Sequence, residues 1–286
     1  MKRNKHLGML LGLHCGDSLG ATLEFKSPTR DINKFQKDII GGGVFNWTAG
    51  KATDDTDMMI CLLKSLSENK DYNHKDIIQK YIDWKDTEPS DIGNTISKAL
   101  ELQKSNNLDF TGLKGFYRKS NGSLMRCAPL SLLEFNPIII SQQCSITHGE
   151  TICKLSDKIF IKSLQSAFED SSKESIIKEA LDLANGVDLD LYNTINNISN
   201  IKYSELKTSG YVLDSLVCSL WSLIHFDNLE DAIIHVINRG DDSDTCGAIS
   251  GALLGAFYGL ESLPQRWLDV IKRKDEIIEY YEILFK

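Results

Sequence analysis

An all-α fold is predicted for this chain of 286 residues, and three observations predict it. Apolar residues recur at i, i+3 and i+4 through much of the sequence, runs with strand-like alternation are scarce, and two stretches carry glycine at every fourth position. Only five prolines occur, and no Pro- or Ser-rich linker separates one half from the other. Residues 1–286 are therefore expected to form one α-helical domain rather than two.

From the amino end, a basic start (Met1 to Lys5) precedes an apolar stretch, Leu7 to Leu13, in the manner of a signal peptide. His14 and Asp17 interrupt it and no small-residue cleavage site follows, so it is read as a helix of the mature protein. Helical periodicity then marks Asp57 to Ser67, Lys75 to Trp84, Thr95 to Gln103, Lys154 to Glu169, Ser175 to Ala184, Val212 to Ile224, Leu229 to Asn238 and Gly247 to Leu260. Asp170 to Asn200 is polar and acidic enough for an exposed helix and loop. Cys246 to Leu260 is apolar but too short to span a bilayer, so no membrane partner is expected.

The glycine rows are Gly8, Gly12, Gly16 and Gly20, and Gly247, Gly251, Gly255 and Gly259. Glycine costs a helix interior roughly 1 kcal/mol relative to alanine. Two such rows imply a compensating gain, most simply close approach of helix backbones, and the two helices are expected to be central and to touch each other.

A net charge of -8 disfavours a nucleic-acid partner on electrostatic grounds. Seven scattered cysteines with no C-x-x-C pair read as free thiols of a reducing compartment, so the cytoplasm is the expected location, and a monomer the expected state.

Two acidic clusters each begin a helix: Thr53-Asp54-Asp55-Thr56-Asp57 and Asp241-Asp242-Ser243-Asp244-Thr245. One such cluster is ordinarily an N-cap, because hydroxyls and carboxylates accept orphan N–H groups and carboxylates favour the positive end of the helix dipole. Two clusters, rich in adjacent carboxylates and hydroxyls, suit hard divalent cations, which take oxygen ligands; a two-metal site roughly 3.5–4 Å across needs bridging carboxylates. Asp54, Asp55, Asp242 and Asp244 balance the charge of two Mg²⁺ ions, with Thr53 and Thr245 as neutral donors. Without cations, four converging carboxylates would repel one another and raise their own pKa values. Taken singly, Asp17, Glu24, the Asn121-Gly122-Ser123 turn and His148 each have a structural explanation: a cap, an exposed loop residue, a turn, a packing histidine.

Taken in order, these residues resemble the ADP-ribosylglycohydrolase family, whose bacterial members include the dinitrogenase-reductase-activating glycohydrolase. The resemblance lies in GLHCGDSLGATLE (Gly12 to Glu24), GKATDDTDM (Gly50 to Met58), DIGNTISKAL (Asp91 to Leu100), NGSLMRCAPL (Asn121 to Leu130), Thr147-His148-Gly149, GYVLDSL (Gly210 to Leu216) and RGDDSDTCGAISGALLGAFYG (Arg239 to Gly259). It implies an orthogonal helical bundle with a dinuclear Mg²⁺ or Mn²⁺ centre in a cleft. By motif position it puts the metal ligands at Thr53, Asp54, Asp55, Asp242, Asp244 and Thr245. Substrate contacts fall at Asp17, Glu24, Asp91, Asn94, Asn121, Gly122, Ser123, Leu124, Met125, His148 and Tyr211. One departure stands out: where family members commonly have Gly-Asn-Gly before Met-Arg, this chain has Ser120-Asn121-Gly122.

The activity so implied is hydrolysis of the C1″ glycosidic bond that joins ADP-ribose to an acceptor such as a protein arginine, with ADP-ribose as product. Asp55 or Glu24 would activate water or assist the leaving group, the amides after Gly122 would hold the diphosphate, and Tyr211 would stack on adenine or pack in the core. A binding-only relative and a metal-dependent phosphohydrolase are the alternatives. Among the six histidines none is followed by aspartate, which removes the paired His-Asp ligands one phosphohydrolase class requires.

Overall fold

The computed structural model describes residues 2–106, 108–115 and 118–286. Helices are α1 (Lys2–Gly20), α2 (Asp54–Asn69), α3 (His74–Lys85), α4 (Asn94–Asn106), α5 (Pro137–Ser145), α6 (Thr151–Phe168), α7 (Lys173–Ala184), α8 (Leu189–Asn196), α9 (Val212–His225), α10 (Leu229–Ile237), α11 (Ser243–Tyr258), α12 (Gln265–Leu268) and α13 (Lys274–Leu284). Among the described residues there is no β-sheet, only isolated bridges such as Ser120 with Tyr211. No described helix is long and apolar enough to cross a membrane. All seven cysteines are free thiols.

The two glycine-rich helices, α1 and α11, form the centre of the bundle. They run antiparallel with their rows in register, Gly8 against Gly255, Gly12 against Gly251, Gly16 against Gly247, and Gly20 against Ser243. A Cβ at any of these glycines would come well within 3.0 Å of the opposite backbone, so the glycines set the helix spacing. Almost the whole of α1 is buried, His14 and Asp17 included. That explains why those polar residues do not end the helix: they find partners inside the protein. His14 Nε2 lies 2.6 Å from the Lys272 carbonyl, and its Nδ1 3.1 Å from Ser18 Oγ.

Because α1 and α11 are antiparallel, the carboxyl end of α1 and the amino end of α11 lie at the same pole. The amino end of α2 joins them there: Thr53 is its N-cap and accepts from Asp55 N. Both acid-bearing helices begin earlier than periodicity alone suggests, since Asp54 and Asp55 occupy the first turn of α2, and Ser243, Asp244 and Thr245 that of α11. The polar segment 170–200 is more ordered than an exposed helix and loop: α7 and α8 bury Ile176, Ala180, Ala184, Leu191 and Ile195 against the core. The short α5 and the carboxyl-terminal α13 were not marked by periodicity. The latter follows Arg273 as N-cap, whose backbone is left-handed (φ 59) and whose side chain supplies no cap bond.

Candidate metal centre and cleft

At the shared pole the two acidic clusters face each other. Thr53 Oγ1 donates to Asp55 Oδ2 at 3.2 Å, and Thr245 Oγ1, from the other cluster, approaches the same oxygen at 3.4 Å. Asp54 Oδ2 accepts from Gly93 N at 3.1 Å. Asp242 Oδ2 accepts from Asn121 Nδ2 at 2.7 Å, and that amide also donates to Ser215 Oγ. Capping accounts for Thr53 but not for Asp242, which stands at the N-cap of α11 and makes no side-chain cap bond. Asp57, the remaining acid of the first cluster, turns away and pairs with Arg273 at 2.6 Å.

Glu24 completes the group. Its carboxylate and those of Asp242 and Asp244 offer oxygens within 4.8 Å of one another, an arrangement that could hold a metal ion. Two backbone bonds set this geometry: Phe25 N donates to the Asp241 carbonyl at 2.7 Å, and Asp241 N to the Lys26 carbonyl at 2.9 Å. Phe25 and Asp241 both take up left-handed backbone, φ 61 and 55, and Gly240 beside them has φ 69 with the Lys26 carbonyl where a Cβ would lie. Non-glycine residues held there are uncommon and cluster at functional sites.

The electrostatics of this pole suit a cation. Glu24 Oε2, Asp55 Oδ1 and Asp244 Oδ1 are buried without any hydrogen-bond partner. Among the described residues no lysine or arginine forms an ion pair with Glu24, Asp54, Asp55, Asp242 or Asp244. Burial and then neighbouring carboxylates push Glu24 up to about 9 and Asp91 up to about 6. Asp54, Asp55 and Asp244 are driven well above the usual carboxylate range by the same causes. Orphaned buried carboxylate oxygens converging without a counter-charge fit a divalent centre and are otherwise costly.

Beside this cluster lies a cleft of about 470 Å³, lined by Glu24, Asp54, Asp91, Asn94, Asn121, Gly122, Met125, Asp242, Asp244 and Thr245 among others. Asp17 is fully buried beneath it and accepts from Thr53 N, Thr56 N and Thr56 Oγ1, the last at 2.5 Å, so its carboxylate anchors the start of α2. Burial pushes Asp17 up to about 7 against those hydrogen bonds. Ser123, Leu124 and His148 are fully buried behind the cleft wall, Ser123 donating to Asp157. Tyr211 is 39% exposed and lines a neighbouring cavity of about 390 Å³. Phe25 and Phe45 line the cleft from outside every stretch that carries the resemblance, whereas Ile92, Gly93, Thr95, Ile96, Gly210 and Asp241 lie within those stretches but carry no role assigned from sequence. Nothing local marks Phe25 and Phe45, whose rings meet edge to face across twenty residues of sequence; Ser120, the departure from the Gly-Asn-Gly pattern, also lines the cleft.

Similarity to known proteins agrees with this geometry. The family profile described as ADP-ribosylglycohydrolase matches residues 1–286. ADP-ribosylarginine hydrolase Tri1 of Pseudomonas putida is 30% identical, the alignment covering 97% of this chain and 77% of that protein. The ADP-ribosyl-[dinitrogen reductase] glycohydrolase of Rhodospirillum rubrum is 26% identical over 96% of this chain and 92% of its own length. A solved structure titled ADP-ribosylglycohydrolase-related protein complex superposes with a TM-score of 0.86 at 27% identity, over 99% of this chain and 98% of that one.

Proposed function

The chain belongs to the ADP-ribosylglycohydrolase family, and on that premise we propose that it is a divalent-metal-dependent hydrolase releasing ADP-ribose from a modified acceptor by breaking the glycosidic bond at C1″. The observation that carries this reading is the set of orphaned, buried carboxylate oxygens on Glu24 and Asp244, which line the cleft, and on Asp55, bonded to the cleft residue Thr245. Thr53, Asp54, Asp55, Asp242, Asp244 and Thr245 would hold two Mg²⁺ or Mn²⁺ ions, and Glu24 is placed to join Asp242 and Asp244. Such ions, when bound, supply positive charge beside the ribose hydroxyls as an oxocarbenium-like state develops.

The protein's own groups do the rest. Between the two carboxylates considered for proton transfer, Glu24 lines the cleft, whereas Asp55 lies fully buried under two threonine hydroxyls. Glu24 is therefore the group that takes a proton from water or delivers one to the leaving group. Asn121 holds Asp242 in place, and Gly93 N does the same for Asp54. Of the peptide N–H groups after Gly122 expected to hold the diphosphate, those of Leu124 and Met125 donate instead to the Asn121 carbonyl and are not available to it.

The acceptor we propose is the guanidinium of a protein arginine. Asp91 and the acidic floor would favour a cationic acceptor, and a relative bears the name ADP-ribosylarginine hydrolase. Incubation with Arg-, Ser-, Glu- and nucleic-acid-linked ADP-ribose, with and without Mg²⁺, tests the reading. Intact ADP-ribose should be released from the arginine conjugate only when metal is present. AMP with ribose 5-phosphate as primary products would instead support a phosphohydrolase.

A further inference from the structure

Ser120 is the residue by which this chain departs from the Gly-Asn-Gly pattern, and its side chain stands at the end of a buried hydrogen-bonded chain. Arg126, fully buried, donates from Nη2 to Thr147 Oγ1 at 2.8 Å. Thr147 Oγ1 lies 2.8 Å from His148 Nδ1, and His148 Nε2 lies 2.8 Å from Ser120 Oγ. Thr147 and His148 are both fully buried, and the imidazole lies so close beneath Gly122 that a Cβ there would approach His148 Cε1 to 3.0 Å. The backbone of Ser120 is pinned on both sides, by Val212 N donating to the Lys119 carbonyl and Asn121 N to that of Gly210.

The directions of these bonds follow from donor accounting. Arginine can only donate, so Thr147 Oγ1 accepts from Arg126. The Thr147 hydroxyl proton is buried, and His148 Nδ1 is its one acceptor among the described residues; leaving that proton unpaired would incur a desolvation penalty. Nδ1 therefore accepts, and the imidazole carries its proton on Nε2 and donates to Ser120 Oγ. A neutral ring is what the site favours, since burial and then Arg126 bring His148 down to about 3. Ser120 Oγ already accepts from histidine, its own proton has no acceptor among the described residues, and the residue lines the cleft.

We propose that Ser120 is a substrate-binding residue specific to this chain's pattern, its hydroxyl set by His148, Thr147 and Arg126 to donate a hydrogen bond to the diphosphate of bound ADP-ribose. This rests on reading the cleft as an ADP-ribose site. The diphosphate is the anionic part of that ligand, and no lysine or arginine is among the described residues lining the cleft to receive it. On the wall built from Ser120, Asn121 and Gly122 the donors of Asn121 are taken up by Gly210, Ser215 and Asp242, which leaves the Ser120 hydroxyl as its neutral side-chain donor. His148, Thr147 and Arg126 are positioning residues, and a glycine at 120 would offer the diphosphate no hydroxyl.

Calorimetric titration of the full-length protein in Mg²⁺ with ADP-ribose, and separately with ADP, tests this in the wild type, Ser120→Ala, Ser120→Gly and Thr147→Val. Both substitutions at 120 should weaken both ligands by about tenfold, the scale of one hydrogen bond to a charged group. Thr147→Val should weaken them as well, without altering a cleft residue. In ¹⁵N spectra of histidine-labelled protein, wild-type His148 should show its proton on Nε2. Wild-type affinity in Ser120→Ala, a loss confined to ADP-ribose and absent with ADP, or a proton on Nδ1 of wild-type His148 would each overturn the assignment. Failure of the wild type to bind ADP-ribose at all would instead reject the reading of the cleft, and this inference with it.

Discussion

Gly12 and Gly251 meet so closely that a Cβ on either would fall against the carbonyl oxygen of the other, inside van der Waals contact. The contact lies midway along α1 and α11, whose ends carry Asp17 and the Asp242 to Thr245 cluster, so helix spacing and the geometry of the acidic pole are coupled. Gly251→Leu should wedge the helices apart, costing at least the ~1–3 kcal/mol typical of overpacking and weakening divalent-metal binding without touching a ligand. Gly251→Ala gains helix propensity, yet its Cβ already meets the Gly12 carbonyl. It too should lose stability, though less than leucine. Urea unfolding, with calorimetric Mg²⁺ titration of the folded fraction, measures both effects; wild-type values for Gly251→Leu would mean that the helices slide apart freely.

The glycine rows were legible in the sequence because close backbone approach leaves a four-residue signature that no side-chain packing produces. The acidic clusters were legible for a related reason: adjacent carboxylates at a helix start are costly unless something takes them up. Other features left no such trace. Asp17 caps the start of α2 from a helix thirty-six residues upstream, and an aspartate in an apolar helix does not announce which distant N–H groups it serves. Phe25 and Asp241 are joined only by backbone bonds between segments far apart in sequence. Neither residue type nor spacing encodes that link, so Glu24's place beside Asp242 and Asp244 emerged only in three dimensions.

Asp17 offers a direct separation of two roles. It accepts three hydrogen bonds from Thr53 and Thr56, and Thr53 begins the first acidic cluster. Asp17→Ala leaves those buried donors unpaired at about 1–3 kcal/mol each and should loosen Thr53, so metal affinity and thermal stability should fall together. A variant that binds Mg²⁺ normally but has a raised KM would show instead that the carboxylate reaches substrate.

The pH dependence of the metal-free protein has a definite sign. Asp91, Asp17 and Glu24 are raised to about 6, 7 and 9 from ordinary values near 4. Between the unfolded and folded values the native state holds more protons than the unfolded one, and stability falls as pH rises. In EDTA, thermal stability should therefore be highest near pH 4 to 5, as far as these groups govern it, and should decline progressively toward pH 9. Mg²⁺ binds the ionised carboxylates and should flatten or reverse that decline. Melting curves across this range in EDTA and in Mg²⁺ read it directly; a rise in stability with pH in EDTA would contradict the proposed crowding of carboxylates.

Asp244→Asn isolates the charge from the shape of a proposed ligand. In the wild type Asp244 Oδ1 is buried and unpartnered, and burial, Asp242, Glu24 and Asp55 all hold its carboxyl well above the usual range. Replacing it by an amide of the same size removes one member of a mutually repelling set, so in EDTA the variant should melt at or above the wild-type temperature. In Mg²⁺ the order should invert. A ligand at a hundred times its Kd stabilises the native state by about 2.7 kcal/mol, which the wild type would gain and the variant largely forfeit. Turnover should be abolished in the variant while its helical content stays unchanged, and excess Mn²⁺ should restore little of it. Paired melting curves with and without metal decide the matter: equal Mg²⁺-induced shifts in the two proteins would remove Asp244 from the metal centre, whereas a variant already destabilised in EDTA would show that its carboxylate is a structural anchor.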